Sequence, residues 1–335
     1  MSYFFRTYKI MIRIKVTSLR LIIVYFCLVT APAYATMSCL QDTTITASQQ
    51  TNLIFNGIYR QNVNTGFFGN EYGNKTRSTL VADVNPNVLL LNSKNSRFFV
   101  LFSPRVKLRL LDAHKSPVRS PSYMPGAKVY FRIGDNVMRP DFFSLAYSHH
   151  SNGQDGPTLD AAGNFNRGEG KFTTNFYTLD YTAGKRKVSS QLSQSRYSSI
   201  GTELHTGLFN RGYSKELDGN YGFVRINGSW TYDILKGKSG DNKYNNHQRL
   251  QARFTYIADK YKDYGSLNLV KRLNASVQYN YQFGFMDNVA LALGAGYRGQ
   301  DDYNIYFEDS YSFVSVGIVY GVAFDLHKKP NTPAR

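Results

Sequence analysis

Arg249-Leu250-Gln251-Ala252-Arg253-Phe254-Thr255-Tyr256 alternates without a break: Leu250, Ala252, Phe254 and Tyr256 oppose Arg249, Gln251, Arg253 and Thr255. Successive side chains of an extended strand point to opposite faces, so one face here is apolar and aromatic and the other polar and basic. A soluble sandwich alternates too, and the polar face is what decides between them. Arginine and glutamine at mid-strand, with aromatics opposite, suit a strand with lipid on one side and a polar interior on the other. The same period runs on either side of this stretch. Val224, Ile226, Trp230, Tyr232 and Ile234 oppose Arg225, Asn227, Ser229, Thr231 and Asp233. Ala275, Val277, Tyr279, Tyr281, Phe283 and Phe285 oppose Ser276, Gln278, Asn280 and Gln282. Residues 314–326 place Val314, Val316, Ile318, Tyr320, Val322, Phe324 and Leu326 together, and in Arg105–Leu110 a basic face backs an aliphatic one.

Stretches rich in Gly, Asn, Asp and Lys separate these runs, as at Asp218–Asn220, Gly237–Asn246 and Gly299–Tyr303. An open sheet edge would leave unpaired backbone groups in hydrocarbon, so the sheet is expected to close. Membrane strands of about 9–11 residues plus turns give about 12 strands over the available length. The expected fold class is all-β: a single antiparallel transmembrane barrel over residues 51–326, with no second domain.

The N-terminus reads differently. Arg6, Lys9, Arg13, Lys15 and Arg20 stand without an acidic residue, an apolar run follows from Leu21 to Val29, and Ala33-Tyr34-Ala35 ends the segment. That is the layout of a secretory signal peptide over 1–35, too short in its apolar part to span a bilayer. Residues 36–50 read as a leader and 327–335 as a polar tail. Of the 2 cysteines, Cys27 lies in the signal, so Cys39 alone excludes an internal disulfide in the mature chain. The whole chain carries +17; without the five signal-peptide bases, 35 basic residues face 23 acidic ones, a net of +12. An exported protein rarely meets nucleic acid, so lipid phosphate or a charged lumen is the expected counterpart. The 26 Tyr, 23 Phe and 27 Gly, at low mean hydropathy and with no apolar helix after residue 35, also suit an outer-membrane barrel.

Chemistry concentrates in Phe142–Arg167. Phe143, Leu145, Tyr147, His149 and Ser151 share one strand face, while Ser144, Ala146, Ser148 and His150 take the other. A lipid-facing apolar line that ends in histidine and then serine needs a reason, because unpaired polar atoms there are costly. Two positions apart on a strand, with modest bending, an imidazole reaches a hydroxyl, which is the pairing that activates a serine nucleophile. Gly153 permits close backbone approach and offers its N–H to an oxyanion. His150, on the opposite parity, is assigned a structural role. His114, His205, His247 and His327 show no metal-ligand spacing, and no phosphate-cradling glycine loop appears.

Tyr147-Ser148-His149-His150-Ser151-Asn152-Gly153, then Gly156-Pro157-Thr158, then Phe165-Asn166-Arg167 resemble the active-site segment of the outer-membrane phospholipase A family. There the pattern reads Tyr-x-His-x-Ser-Asn-Gly, Asp-Pro-Thr and Trp-Asn-Arg. Ser116-Pro117-Val118-Arg119, with Tyr123 and Pro125, is similar to a second family segment. The resemblance covers about residues 116–125 and 147–167. It implies a 12-stranded outer-membrane enzyme that hydrolyses acyl esters of phospholipids and lysophospholipids. Ser151 would be the nucleophile, His149 the general base and Asn166 the group that orients the imidazole. It also implies calcium at a homodimer interface, with Ser116, Gln154 and Leu159 at the corresponding positions, the last two partly through backbone oxygens. The chain departs from the family in three ways. The interval from Ser151 to Asn166 is three residues longer, which keeps Asn164 and Asn175 as rivals to Asn166. Asn166 is even-numbered where the lipid-facing residues beyond it are odd, so a bulge would be needed. Gln154 and Leu159 stand where the family has arginine and serine. A lipid A deacylase and a non-catalytic, porin-like barrel are the alternatives.

Overall fold

The structure, a computed structural model, describes residues 66–325 except 75, 93–96, 113–119, 135, 190–191, 207–211, 238–243, 286–288 and 322. The expected signal peptide, leader and C-terminal tail lie outside the described residues. Sixteen strand segments are described. The first seven are β1 (Gly66–Tyr72), β2 (Ser78–Val84), β3 (Asn87–Asn92), β4 (Phe98–Phe102), β5 (Arg105–Leu111), β6 (Ser122–Met124) and β7 (Gly126–Arg132). Five long ones follow: β8 (Asp141–Ser151), β9 (Thr173–Val188), β10 (Leu192–His205), β11 (Val224–Gly237) and β12 (Tyr244–Ile257). The sheet ends with β13 (Leu273–Gln282), β14 (Val289–Arg298), β15 (Tyr311–Tyr320) and β16 (Ala323–Asp325).

These segments make a closed barrel of twelve antiparallel strands. Four barrel strands are each built from two segments: β2 with β3, β4 with β5, β6 with β7, and β15 with β16. Three of the four breaks fall at Pro86, Pro104 and Pro125. Proline has no N–H to give the ladder, so each interrupts the pairing without ending the strand. Neighbours along the chain pair all the way round, and β1 closes the ring on β15 through Gly66↔Tyr320 to Tyr72↔Val314. Past the end of β1, β16 reaches β3 in parallel, as two strands on either side of an antiparallel neighbour must.

Side-chain alternation follows the pleat. Phe143, Leu145, Leu179, Ile200, Phe254, Val277, Leu291, Leu293, Val314 and Val316 face outward and are exposed. The polar partners point inward, where Arg109, Thr231, Asp233, Arg249 and Gln251 are buried. The basic face of β5 is inward. Arg105 pairs with Asp83, Lys107 with Asp302, and Arg109 with Asp301 through two bonds of 2.8 and 3.0 Å. Across the lumen wall, Arg249 Nε donates to Asp233 at 2.8 Å. Part of the positive charge is thus consumed inside the barrel.

The two ends differ. One carries the short links 93–97, 133–140, 189–191, 238–243 and 283–288; the other carries the longer connections 112–121, 152–172, 206–223, 258–272 and 299–310. Three of the long connections pack on one another through Phe165, Phe172, Leu217, Tyr221, Tyr303, Ile305, Tyr306 and Phe307, all buried. This apolar cap is tied into the barrel because Asp301 and Asp302, from connection 299–310, are the acids that meet Arg109 and Lys107. At the end of the short links Leu89, Phe99, Leu101, Tyr130 and Phe142 form a second buried cluster.

Candidate active site

Strand β8 carries the line foreseen in the sequence. Phe143 and Leu145 are 47% and 53% exposed on the outer wall, and His149 and Ser151 continue the same face to the rim of the longer connections. Strand β9 lies beside it with Phe143↔Tyr181, Tyr147↔Tyr177, His149↔Asn175 and Ser151↔Thr173 in register. Ring pairs at 5.4 Å (Phe143–Tyr181) and 5.1 Å (Tyr147–Tyr177) lead up to the polar end.

The backbone explains how close histidine and asparagine come. His149 N–H donates to Pro125 O at 3.0 Å, on the side away from β9. Toward β9 the residue therefore occupies a non-hydrogen-bonded position, where paired Cα atoms are about 4.5 Å apart and side chains approach most closely. His149 Nδ1 and Asn175 Oδ1 are 2.7 Å apart. The Asn175 side chain is buried and donates Nδ2–H to Gly212 O at 2.9 Å. A backbone oxygen only accepts, so Asn175 turns its Nδ2 to Gly212 and its Oδ1 to the imidazole. His149 Nδ1 must then carry the proton, which leaves Nε2 with a free lone pair. Gly212 has φ +92, and a Cβ there would lie 2.1 Å from Asn175 Nδ2, so the contact requires glycine.

Asn166 lies elsewhere. Its Oδ1 accepts from Gly168 N and Glu169 N, both at 3.2 Å, and its Nδ2 donates to Pro157 O, all within its own connection. The imidazole thus meets Asn175 and not the expected Asn166, and no bulge is needed because 175 already has the outward parity of β9. Asn164 is bonded through its backbone to Asp160 and also stands apart from the imidazole. Between His149 and Ser151 no hydrogen bond is made. Two residues along a regular strand span about 6.6 Å, and the register of β8 with β9 runs through this point without a bulge.

Asn152 has a part the sequence did not disclose. It is 1% exposed; its Oδ1 accepts from Phe172 N (2.9 Å) and Gln154 N (3.2 Å), and its Nδ2 donates to Gly170 O (2.7 Å). It thereby clamps both ends of connection 152–172 immediately after the serine. Gly153 follows at φ +69, exposed, and its N–H meets no acceptor among the described residues. Tyr123, opposite Ser151 in register, walls this side, its ring 3.2 Å from where a Gly153 Cβ would stand. His150 points into the barrel as expected, 3.0 Å from Ser122 Oγ and edge-on to Phe172.

In architecture the chain resembles outer membrane phospholipase A. The Escherichia coli structure superposes at a TM-score of 0.46 with 13% identity, over 76% of this chain and 88% of that one. The Salmonella typhi outer membrane phospholipase dimer with bound calcium gives 0.48 and 13%, over 83% and 99%. The NanC porin gives 0.39 and 7%, over 76% and 98%. No protein-family model and no curated protein sequence matches the chain.

Calcium takes 6–8 oxygen ligands, and no three His, Cys, Asp or Glu side chains converge among the described residues. Leu159 presents hydrocarbon and packs against the apolar cap, Gln154 contributes its N–H to Asn152, and Ser116 lies outside the described residues. Among the described positions, oxygen for such an ion would have to come from the Gln154 side-chain amide and from backbone carbonyls.

Proposed function

We propose that this protein is an outer-membrane esterase that cleaves acyl esters of phospholipids and lysophospholipids, with Ser151, His149 and Asn175 as its catalytic set. The observation that carries the proposal is the 2.7 Å contact between His149 Nδ1 and Asn175 Oδ1 on the lipid-facing wall, one strand step from a serine. In the proposed reaction Ser151 Oγ rotates toward His149 Nε2, loses its proton to it and attacks the ester carbonyl. Gly153 N–H, otherwise unused, donates to the oxyanion. His149 returns the proton to the departing alcohol, and water then releases the fatty acid from Ser151 by the same route. Asparagine holds the imidazole without placing a charge beside it. The substrate's acyl chains lie against Leu145, Tyr147 and Tyr123, which continue into the bilayer.

The test is fatty-acid release from detergent-dispersed phosphatidylcholine by the refolded mature chain, with calcium and with a chelator, alongside Ser151→Ala. The proposal expects release by the wild type and a loss of at least about 10³-fold in the variant. The chelator arm decides the calcium expectation, and cross-linking in each arm decides whether a homodimer accompanies activity. Equal release by both proteins, or none from a folded barrel, would overturn the phospholipase assignment.

A further inference from the structure

Strand β9 runs ten residues from Asn175 to Lys185. At about 3.3 Å per residue and a typical barrel tilt of about 40°, that is about 25 Å along the membrane normal, the height of a barrel's apolar band. Along this length the outward positions of β9 are Tyr177, Leu179, Tyr181 and Ala183, and those of β10 are Leu204, Thr202, Ile200 and Ser198. Strand β11 offers Val224, Ile226, Trp230, Tyr232 and Ile234. None is charged. Charge then appears on all three strands at one level, near the 189–191 link: Lys185 and Lys187 on β9, Arg196 on β10 and Lys236 on β11, all outward and exposed.

Lys185 and Arg196 are direct cross-strand partners. Like charges directly opposite destabilise a sheet unless a counter-charge sits on them. None of the four has an ion-pair or hydrogen-bond partner among the described residues. The acids of these strands point inward, where Asp180 meets Lys128, Glu203 meets Arg225 and Asp233 meets Arg249. Asp141, on the outward parity of β8 opposite Ala183, makes no ion pair with any of them.

We propose that Lys185, Lys187, Arg196 and Lys236 form a binding surface for the phosphate head groups of acidic phospholipid, in the leaflet opposite the one that Ser151 borders. The occupant follows from the surface itself. It is continuous with the lipid-facing wall, it begins where the apolar band ends, and its unmet charge is positive. Aromatic side chains at Tyr181 and Tyr232 flank it, as interfacial residues do.

The experiment uses the refolded barrel in vesicles of phosphatidylcholine, alone or with a minor fraction of phosphatidylglycerol. Wild type is compared with Lys185→Gln/Arg196→Gln for its thermal unfolding midpoint and, by native mass spectrometry, for the lipid it retains. In pure phosphatidylcholine the variant should be at least as stable as the wild type, since the like-charge pair is gone. With phosphatidylglycerol present the order should reverse, and the wild type should retain that lipid several-fold above its share of the vesicle. Equal retention by both proteins would overturn the proposal. So would equal stabilisation of the wild type by inorganic phosphate in pure phosphatidylcholine, which would make the surface a site for free anion. Both proteins carry Ser151→Ala in addition, so that the vesicle lipid is not consumed and neither readout depends on esterase activity.

Discussion

Asn175→Ala removes a hydrogen bond worth about 1–3 kcal/mol to the imidazole, so kcat for fatty-acid release should fall about 10- to 100-fold. KM should change little. Asn166→Ala, which disturbs only its own connection, should leave kcat within a few-fold, and the two variants side by side discriminate the assignments. Asn152→Ala strips three bonds from a buried amide. Limited proteolysis should then cut within 152–172 much faster than in the wild type, with the rest of the barrel intact. At this scale the sequence was legible where parity governs and opaque where register does. His149, Ser151 and Gly153 stand where alternation and motif place them. Motif spacing points to Asn166 and kept Asn175 only as a rival, whereas cross-strand pairing brings Asn175 to the imidazole. Gly212 carries no local signal at all, since it meets Asn175 only when connection 206–223 folds over the rim.

The strands were readable because lipid and a polar lumen impose opposite chemistry on alternate residues, as in Val224–Ile234 and Arg249–Tyr256. Three of the four breaks inside them coincide with prolines, so these too were present in the sequence as Pro86, Pro104 and Pro125. Register is unchanged across the last of these, with Tyr123↔Ser151 on one side and Gly126↔Ser148 on the other. Pro125→Ala should therefore leave the barrel folded and supply one more ladder N–H, directed at His149 O. Hydrogen exchange should find the new amide at 125 protected; rapid exchange there would mean that β6 and β7 are not one strand. Connections 152–172 and 299–310 have no periodicity, which is why their inward fold and the pairing of Asp301 and Asp302 with β5 could not be read beforehand.

Across the whole molecule, Arg109 links β5, connection 299–310 and Glu71 of β1. Arg109→Met would strand Asp301 as a buried charge, while Glu71 keeps Arg298 at 2.9 Å, at a cost of about 3–5 kcal/mol in chemical unfolding from detergent. Acid should act on the same junction. Burial would raise the Asp302 carboxyl, but Arg298, Lys107 and Arg109 outweigh it and hold it well below the usual carboxylate range. Its contribution is present above the unfolded pKa of about 3.9 and is lost only as pH falls through the depressed value. Pepsin should therefore begin to cut connection 299–310 only well below pH of about 4, and at higher pH in Asp302→Asn. The eight buried side chains of the apolar cap have a further consequence. Hydrated ions do not cross closely packed aromatic side chains, so a planar lipid film carrying this barrel should pass no more current under applied voltage than a bare film. Steady single-channel steps would show instead that the cap opens. Electrically, this barrel should behave as an insulator.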